Sequence, residues 1–287
     1  MPISEVGSSS ELAGIIHDLG LHAGPIWIKV NWTSPHEGMF TTPSILREFL
    51  AALPRPVVLV EGHSVGRLLV RIADLPDDDD LFREAVREGD RAFLRSTGMD
   101  ELLEEPGIGY VNATEQVWAG DVASPGDVAA AVESRFGKLH FEELAGVVPA
   151  VLYRGRPQVT LINLARMKVP AEDSGDWSLA LKNMFGLIPD PYRIRYHREG
   201  LAEAIFDINR VYRSLFKVVD FVEGLDSVVV YSDDGEFKAP WGRYDIVRGG
   251  RLLAYGAEPA DLELEVAAHF GRDLSGRRLM QLARGIF

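Results

Sequence analysis

The chain has 287 residues, 30 Lys+Arg against 43 Asp+Glu, a formal charge of −13 and no cysteine. Its length suits one large domain or two small ones, and 46% hydrophobic with 25% charged residues is ordinary globular composition. The missing cysteine excludes disulfides, thiolate zinc sites, iron–sulfur clusters and a cysteine nucleophile; the acidic balance argues against nucleic acid or an anionic membrane as partner, yet leaves room for a small anion in a locally basic pocket.

The N-terminus, MPISEVGSSSELAGIIHDLG, is acidic and lacks an apolar core, so it does not read as a signal peptide, and no long apolar run predicts a membrane span. A cytoplasmic protein is the expectation. In chain order the pattern predicts a helix over 10–19, a strand over 26–31, a helix over 44–53 and a strand over 56–61. Helices over 80–95 and 126–136 follow, then strands over 147–153 and 158–164 and a helix over 178–185. The clearest helix covers 201–215, with Leu201, Ile205, Ile208, Val211, Tyr212 and Leu215 on one face. Strands over 216–222, 227–231 and 252–257 and a helix over 261–270 complete the reading. Nearly continuous β-branched runs are those of strands covered on both faces. The alternation predicts an α/β fold, with a largely parallel or mixed sheet, helices on both faces and an acidic helical insertion. One domain spans 1–287; residues 76–106 read as a flap within it, and the four aspartates at 77–80 as an acidic helix start.

Gly62-His63-Ser64-Val65-Gly66 after a strand fits a nucleophile elbow, with Asp220 or Asp226 and then His269 in the order a serine hydrolase needs. Only two predicted strands precede it, Arg67 follows where a small residue is wanted, and His269 falls inside a helical pattern. A glycine-rich turn capped by Ser64 is the favoured reading. No P-loop, complete G-x-G-x-x-G or H-E-x-x-H occurs, and the histidines lack metal-ligand spacing.

The informative stretch is basic. Arg166, Lys168, Lys182, Arg193, Arg195, His197 and Arg198 fall together in an acidic chain, which predicts an anion-binding wall of forked guanidinium and compact ammonium donors. Pairing of each arginine with an acidic neighbour is the competing reading. Lys182-Asn183 is predicted near a helix end, with Gly186 as C-cap and Arg193 to Arg198 in a loop.

LALKNMFGLIP followed by RIRYH resembles the signature of the family called "domain of unknown function 362", which has a K-N-x-x-G segment and a downstream histidine. WIKVNW with TTPSILREFL, VVLVEG, VTLINLARMKVP, KVVDFVEGLD and LLAYGAEPADLELEVAAHFG are similar to its successive strands and helix starts. The sequence departs from it at Pro170, where that family has a strand-end histidine, and at Glu258 and Glu263, which stand for aspartates. The resemblance implies a fold and a place for the site, and no reaction.

If these segments converge, Lys29, Asn31, Glu61, Lys168 and Asp220 at strand ends meet Lys182, Asn183 and His197, outside the carboxyl ends of an open sheet. Lys29, Lys182, His197 and Asp220 are the catalytic candidates. Asn31, Glu61, Lys168, Asn183, Arg193, Arg195 and Glu223 are the substrate-binding ones. His197 or a lysine serves as acid or base, and Asp220 or Glu223 as base or orienting carboxylate. No cofactor is evident and no metal site is read; Mg or Mn on Asp220, Glu258 and Glu263 has no motif behind it. The expected activity is cofactor-independent, proton-coupled chemistry on a small anionic metabolite, such as elimination or intramolecular displacement with loss of phosphate or sulfate. A serine hydrolase and a non-catalytic subunit of a heteromeric complex are the alternatives, and a homo-oligomer is compatible with either.

Overall fold

The computed structural model describes residues 3–6, 8–69, 74–170, 177–191, 193–225, 229–231, 251–256 and 258–287. In chain order they form β1 (Ile3–Val6), α1 (Ser9–Asp18), β2 (Ile26–Lys29), α2 (Pro43–Ala52), β3 (Val57–Glu61), α3 (Asp79–Thr97), α4 (Met99–Leu103) and β4 (Ile108–Asn112). Next come α5 (Ala113–Trp118), α6 (Pro125–Phe136), α7 (Ala150–Gly155), β5 (Thr160–Arg166), β6 (Lys168–Pro170), α8 (Ala180–Asn183) and α9 (Ile194–Glu199). The chain ends with α10 (Leu201–Leu215), β7 (Lys217–Glu223), β8 (Val229–Tyr231), β9 (Arg251–Gly256), α11 (Pro259–His269) and α12 (Arg278–Ala283).

Local chemistry starts the helices. Ser8 and Glu11 close a capping box on α1, and Thr42 caps α2 ahead of Pro43. Asp78 accepts from the backbone N–H groups of Asp80 and Leu81, so the aspartate run begins α3, as its composition predicts; Gly98, with φ 71°, closes the same helix.

Seven strands make one sheet in the order β1-β9-β7-β5-β2-β3-β4. The ladders β7-β5-β2-β3-β4 are all parallel, while β9 runs antiparallel to β7 and β1 antiparallel to β9. The sheet is therefore mixed, and helices cover both faces. On one, Trp27, Leu161, Ala165, Val218 and Val222 meet a core that includes residues of α6, α8, α10, α11 and α12. On the other, Ile26, Ile28, Ile162, Leu164, Val219 and Phe221 meet α1 and α2, with Phe93 of α3 and Met99 and Leu102 of α4. Strand β5 is buried along its whole length, which accounts for its mostly apolar sequence. Residues 76–106 thus form much of the crossover from β3 to its parallel neighbour β4.

Three expectations are corrected. Residues 147–153 are not a strand: Pro149 cannot serve a central ladder, and the apolar run continues as α7 with Leu152 buried. Short strands β1 and β4 lie at the two sheet edges where the sequence shows no strand signal; β4 is only half-buried and opens with Gly109 at its second position. Residues 194–199 are helical rather than a loop. Asp226, Ser227 and Ala257 lie outside the described residues.

Candidate functional site

Alternation along the strands delivers one polar row to one face. Lys29 of β2, Asn163 of β5 and Asp220 of β7 are register partners in adjacent strands, and all three are buried on the face that carries α8 and α10. Two further side chains reach this row, Asn31 just beyond β2 and Asn183 at the end of α8.

They form a continuous amide chain. Lys168 Nζ donates to Asn31 Oδ1 at 2.8 Å, and Asn31 Nδ2 donates to Asn183 Oδ1 at 2.7 Å. Asn183 Nδ2 donates to Asn163 Oδ1 at 2.8 Å, and Asn163 Nδ2 to Asp220 Oδ1 at 2.7 Å. Arg213 of α10 closes the far end, donating to both oxygens of Asp220 at 2.9 and 2.8 Å. Spare amide hydrogens are used locally, by Asn163 on Ala180 O and by Asn183 on Leu164 O.

Lys29 sits beside this chain in an ion pair. Its Nζ lies 2.8 Å from Glu61 Oε1, and Glu61 also accepts from the backbone N–H groups of Trp32 and Gly62 at 3.0 Å each. Burial lowers the Lys29 ammonium from its usual value, against the pull of Glu61. The pair explains two glycines. A Cβ on Gly186 would lie 2.7 Å from Glu61 Oε1 and 2.8 Å from Lys29 Nζ, and one on Gly62 would lie 2.4 Å from Gly186 O. Gly62 is therefore required by close backbone approach rather than by a nucleophile elbow. Gly186, expected as a C-cap, lies inside a 3₁₀ turn over Met184–Leu187 instead.

Lys168 is the unusual group. It is 3% exposed and donates to Asn31 and, at 3.1 Å, to Thr33 Oγ1. Among the described residues no carboxylate forms an ion pair with it, and burial reinforced by Lys182, Arg166 and Lys29 outweighs the pull of Glu61 and brings its pKa down to about 7. A neutral lysine has two N–H donors and one lone pair, so both observed bonds are served and the lone pair remains for a proton.

The other expected residues divide. Lys182, half-buried, is close enough to Lys168 to depress it. Arg193 is buried beside the cluster, but Nε donates to Ile188 O and Nη2 to Gly186 O and His63 O; it ties backbone segments together, with its own residue left-handed at φ 49°. Arg195 is exposed and pairs with Glu199 at 2.9 Å and Glu143 at 3.1 Å, and Arg166 pairs with Glu223 at 2.6 Å. Much of the basic stretch is thus matched by acids, which corrects the picture of a continuous basic wall. By strand alternation Glu223 shares its face with Val219 and Phe221, opposite Asp220. His197 is exposed on α9, its ring 5.7 Å from that of Phe185, and the structure does not bring it to the amide chain. Ser64 Oγ accepts from Gly66 N within a short 3₁₀ turn, and His269 is exposed at the end of α11. Glu263 accepts from Leu181 N at 2.6 Å, and Glu258 is exposed ahead of α11. Among the described residues no group of three or more His, Asp or Glu is disposed to hold a metal ion.

Asn163, Thr33 and Arg213 were not anticipated. Asn163 had a signal, an amide inside the apolar run TLINLA, and Arg213 lies on a helix that the structure buries nearly all round; nothing local marked Thr33. A second network was missed as well. His63, 2% exposed, meets Asp90 through Nδ1 at 3.1 Å and Glu115 through Nε2 at 2.7 Å. Arg67 pairs with Asp90, and Arg87 with Glu115 at 2.8 Å. Burial raises the Asp90 carboxyl, but Arg67 and His63 outweigh it and hold the group below its usual range.

A doubly covered, largely parallel sheet with a buried polar row on one face, reaching from mid-strand Asn163 and Asp220 to Asn31 just beyond β2, defines the class. The sequence matches the family described as Domain of unknown function (DUF362) over residues 26–234, and the chain belongs to that family. The match runs from β2 past β8 and includes every member of the amide chain. Among solved structures, a crystal structure of a protein from Thermotoga maritima aligns with 11% identity and a TM-score of 0.34, covering 92% of this chain and 58% of the other. The chain thus spans little more than half of that protein. Among curated proteins nothing matches. Among the described residues no helix is long and apolar enough to cross a membrane.

Proposed function

We propose that this is a small-molecule enzyme of biosynthetic, tailoring type, acting in the cytoplasm, alone or as one subunit of a heteromeric complex. It performs proton-coupled chemistry on an anionic substrate without an organic cofactor, and Lys168 is its acid–base group. The observation that carries this reading is the buried Nζ of Lys168, hydrogen-bonded to Asn31 and Thr33, in no ion pair with a carboxylate among the described residues and brought to about 7. A base matched to neutral pH transfers protons most effectively in either direction.

The neighbours set the substrate's sign. Lys182, Arg166 and Lys29 repel the Lys168 ammonium, and a bound anion relieves that repulsion. In an intramolecular displacement, the substrate's nucleophile forms the new bond to carbon while neutral Lys168 takes its proton. The C–O bond to phosphate or sulfate breaks, and the leaving anion departs with the electron pair toward the neighbouring cations. In an elimination, the same nitrogen takes a proton from carbon, the C–H electron pair forms the new double bond, and the adjacent C–O bond breaks with its pair on the leaving phosphate or sulfate.

Sulfate titrated calorimetrically tests this, because sulfate keeps its charge between pH 6 and 8. Wild type is expected to bind about tenfold more tightly at pH 6 than at pH 8, following protonation of a group near 7. Lys168→Met is expected to bind weakly with no pH dependence. Sulfate binding that is absent, or insensitive to pH in wild type, overturns the reading.

A further inference from the structure

The chain from Lys168 to Asp220 has a direction, and its two ends fix that direction independently. In its ammonium form Lys168 only donates, so in that form the oxygen of Asn31 faces Lys168 and its NH2 faces onward to Asn183. At the other end a carboxylate whose two oxygens are held by Arg213 Nη2 only accepts, so the NH2 of Asn163 must face Asp220 and its oxygen must face back to Asn183. Asn183, in the middle, satisfies both demands with one orientation, and Leu164 O takes its other hydrogen. A flip of any one amide sets two donors or two acceptors against each other in a buried site. Asp220 is fully buried and both its oxygens are engaged, so it is not placed to touch a substrate.

We infer that Asp220, clamped by Arg213, is a positioning residue that orients Lys168 through Asn163, Asn183 and Asn31. It fixes where Nζ donates, and so where its remaining valence points. This rests on the reading of Lys168 as the acid–base group and adds what holds that group in place. Lys168 faces Lys29 of β2, Glu61 of β3, Arg166 of β5 and Lys182 of α8; Lys29 also touches the chain, its Nζ donating to Asn183 Oδ1 at 3.5 Å, in agreement with the same amide orientation. The negative end polarises successive carbonyls toward Lys168 and favours its ammonium form.

The test follows the lysine itself. The sequence has six lysines, few enough for each Cε–Nζ group to be resolved by NMR in protein labelled with 13C and 15N lysine and assigned with Lys168→Met. Asn163→Leu cuts the chain with the same number of side-chain heavy atoms and is expected to lower the Lys168 midpoint by about half a pH unit, leaving the exposed Lys217 signal unmoved. Asp220→Asn retains an acceptor for Asn163 and removes the charge, and a shift in the same direction is expected; it decides the matter if Asn163→Leu fails to fold. A wild-type midpoint near 7 that stays put in a folded variant overturns the positioning role and leaves the acid–base reading intact. A wild-type midpoint near the ordinary lysine value overturns both.

Discussion

Two buried polar networks lie side by side at the carboxyl edge of the sheet, and they solve the problem of buried charge differently. Around His63, the pairs Asp90–Arg67, Asp90–His63, Glu115–His63 and Glu115–Arg87 set positive and negative groups against each other. Around Asn183, three amides carry hydrogen bonding across the interior, with a matched pair, Asp220–Arg213, at one end and a lysine without a carboxylate at the other. A balanced network needs nothing more to be stable, whereas Lys168 escapes its burial cost by giving up its proton near pH 7. That difference in balance separates a structural network from one suited to proton transfer.

The comparison breaks most sharply at Asp90. Asp90→Leu leaves Arg67 and one nitrogen of His63 buried without their partner, and chemical denaturation should record a loss of about 3–5 kcal/mol. Lys168→Met should act in the opposite sense. At pH 6 it removes an unpaired buried ammonium, and a gain of about 1–4 kcal/mol is expected. From about pH 7 to 10 the unfolded chain still binds the proton that folded Lys168 has lost. Wild-type stability therefore rises with pH relative to the variant across that window, and the variant's advantage disappears.

Smaller effects sharpen the same contrast. Gly62→Ala drives a Cβ against Gly186 O, and since the turn over Met184–Leu187 supports the Lys29–Glu61 pair, a cost of about 1–3 kcal/mol is expected from thermal unfolding. Gly14→Ala, on the exposed face of α1 with nothing near the added carbon, should instead stabilise by about 0.5–1 kcal/mol. His197→Ala should leave sulfate binding unchanged, since its ring rests against Phe185 on an exposed helix away from Lys168. A loss of binding there would return His197 to the site.

Much of the candidate site was legible because strand ends are legible. Lys29, Glu61 and Asp220 each close or punctuate a hydrophobic run, and a charged residue there has few places to go except the edge of the sheet. Asn163 carried the same information inside TLINLA and was passed over, because an amide within an apolar run looks like an interruption until its neighbours are known. Strand 147–153 failed for the complementary reason: a short apolar run suits a buried helix as well as a strand, and Pro149 decides between them.

By itself the sequence determined the class of fold, the boundaries of the longer helices and the absence of thiol chemistry, since composition, periodicity and caps act locally. Only the tertiary structure decided which charges of the acidic chain remain unmatched. Arg166, Arg193 and Arg195 look like one basic wall in sequence, yet in the fold each meets a carboxylate or carbonyls supplied from elsewhere in the chain. Lys168 donates to an amide and a hydroxyl, and among the described residues no carboxylate pairs with it. That follows from register, which sets Lys29, Asn163 and Asp220 in one row, and from the close packing of Gly62 on Gly186. Pairing depends on separations of a few ångströms between residues far apart in the chain, which no local pattern encodes.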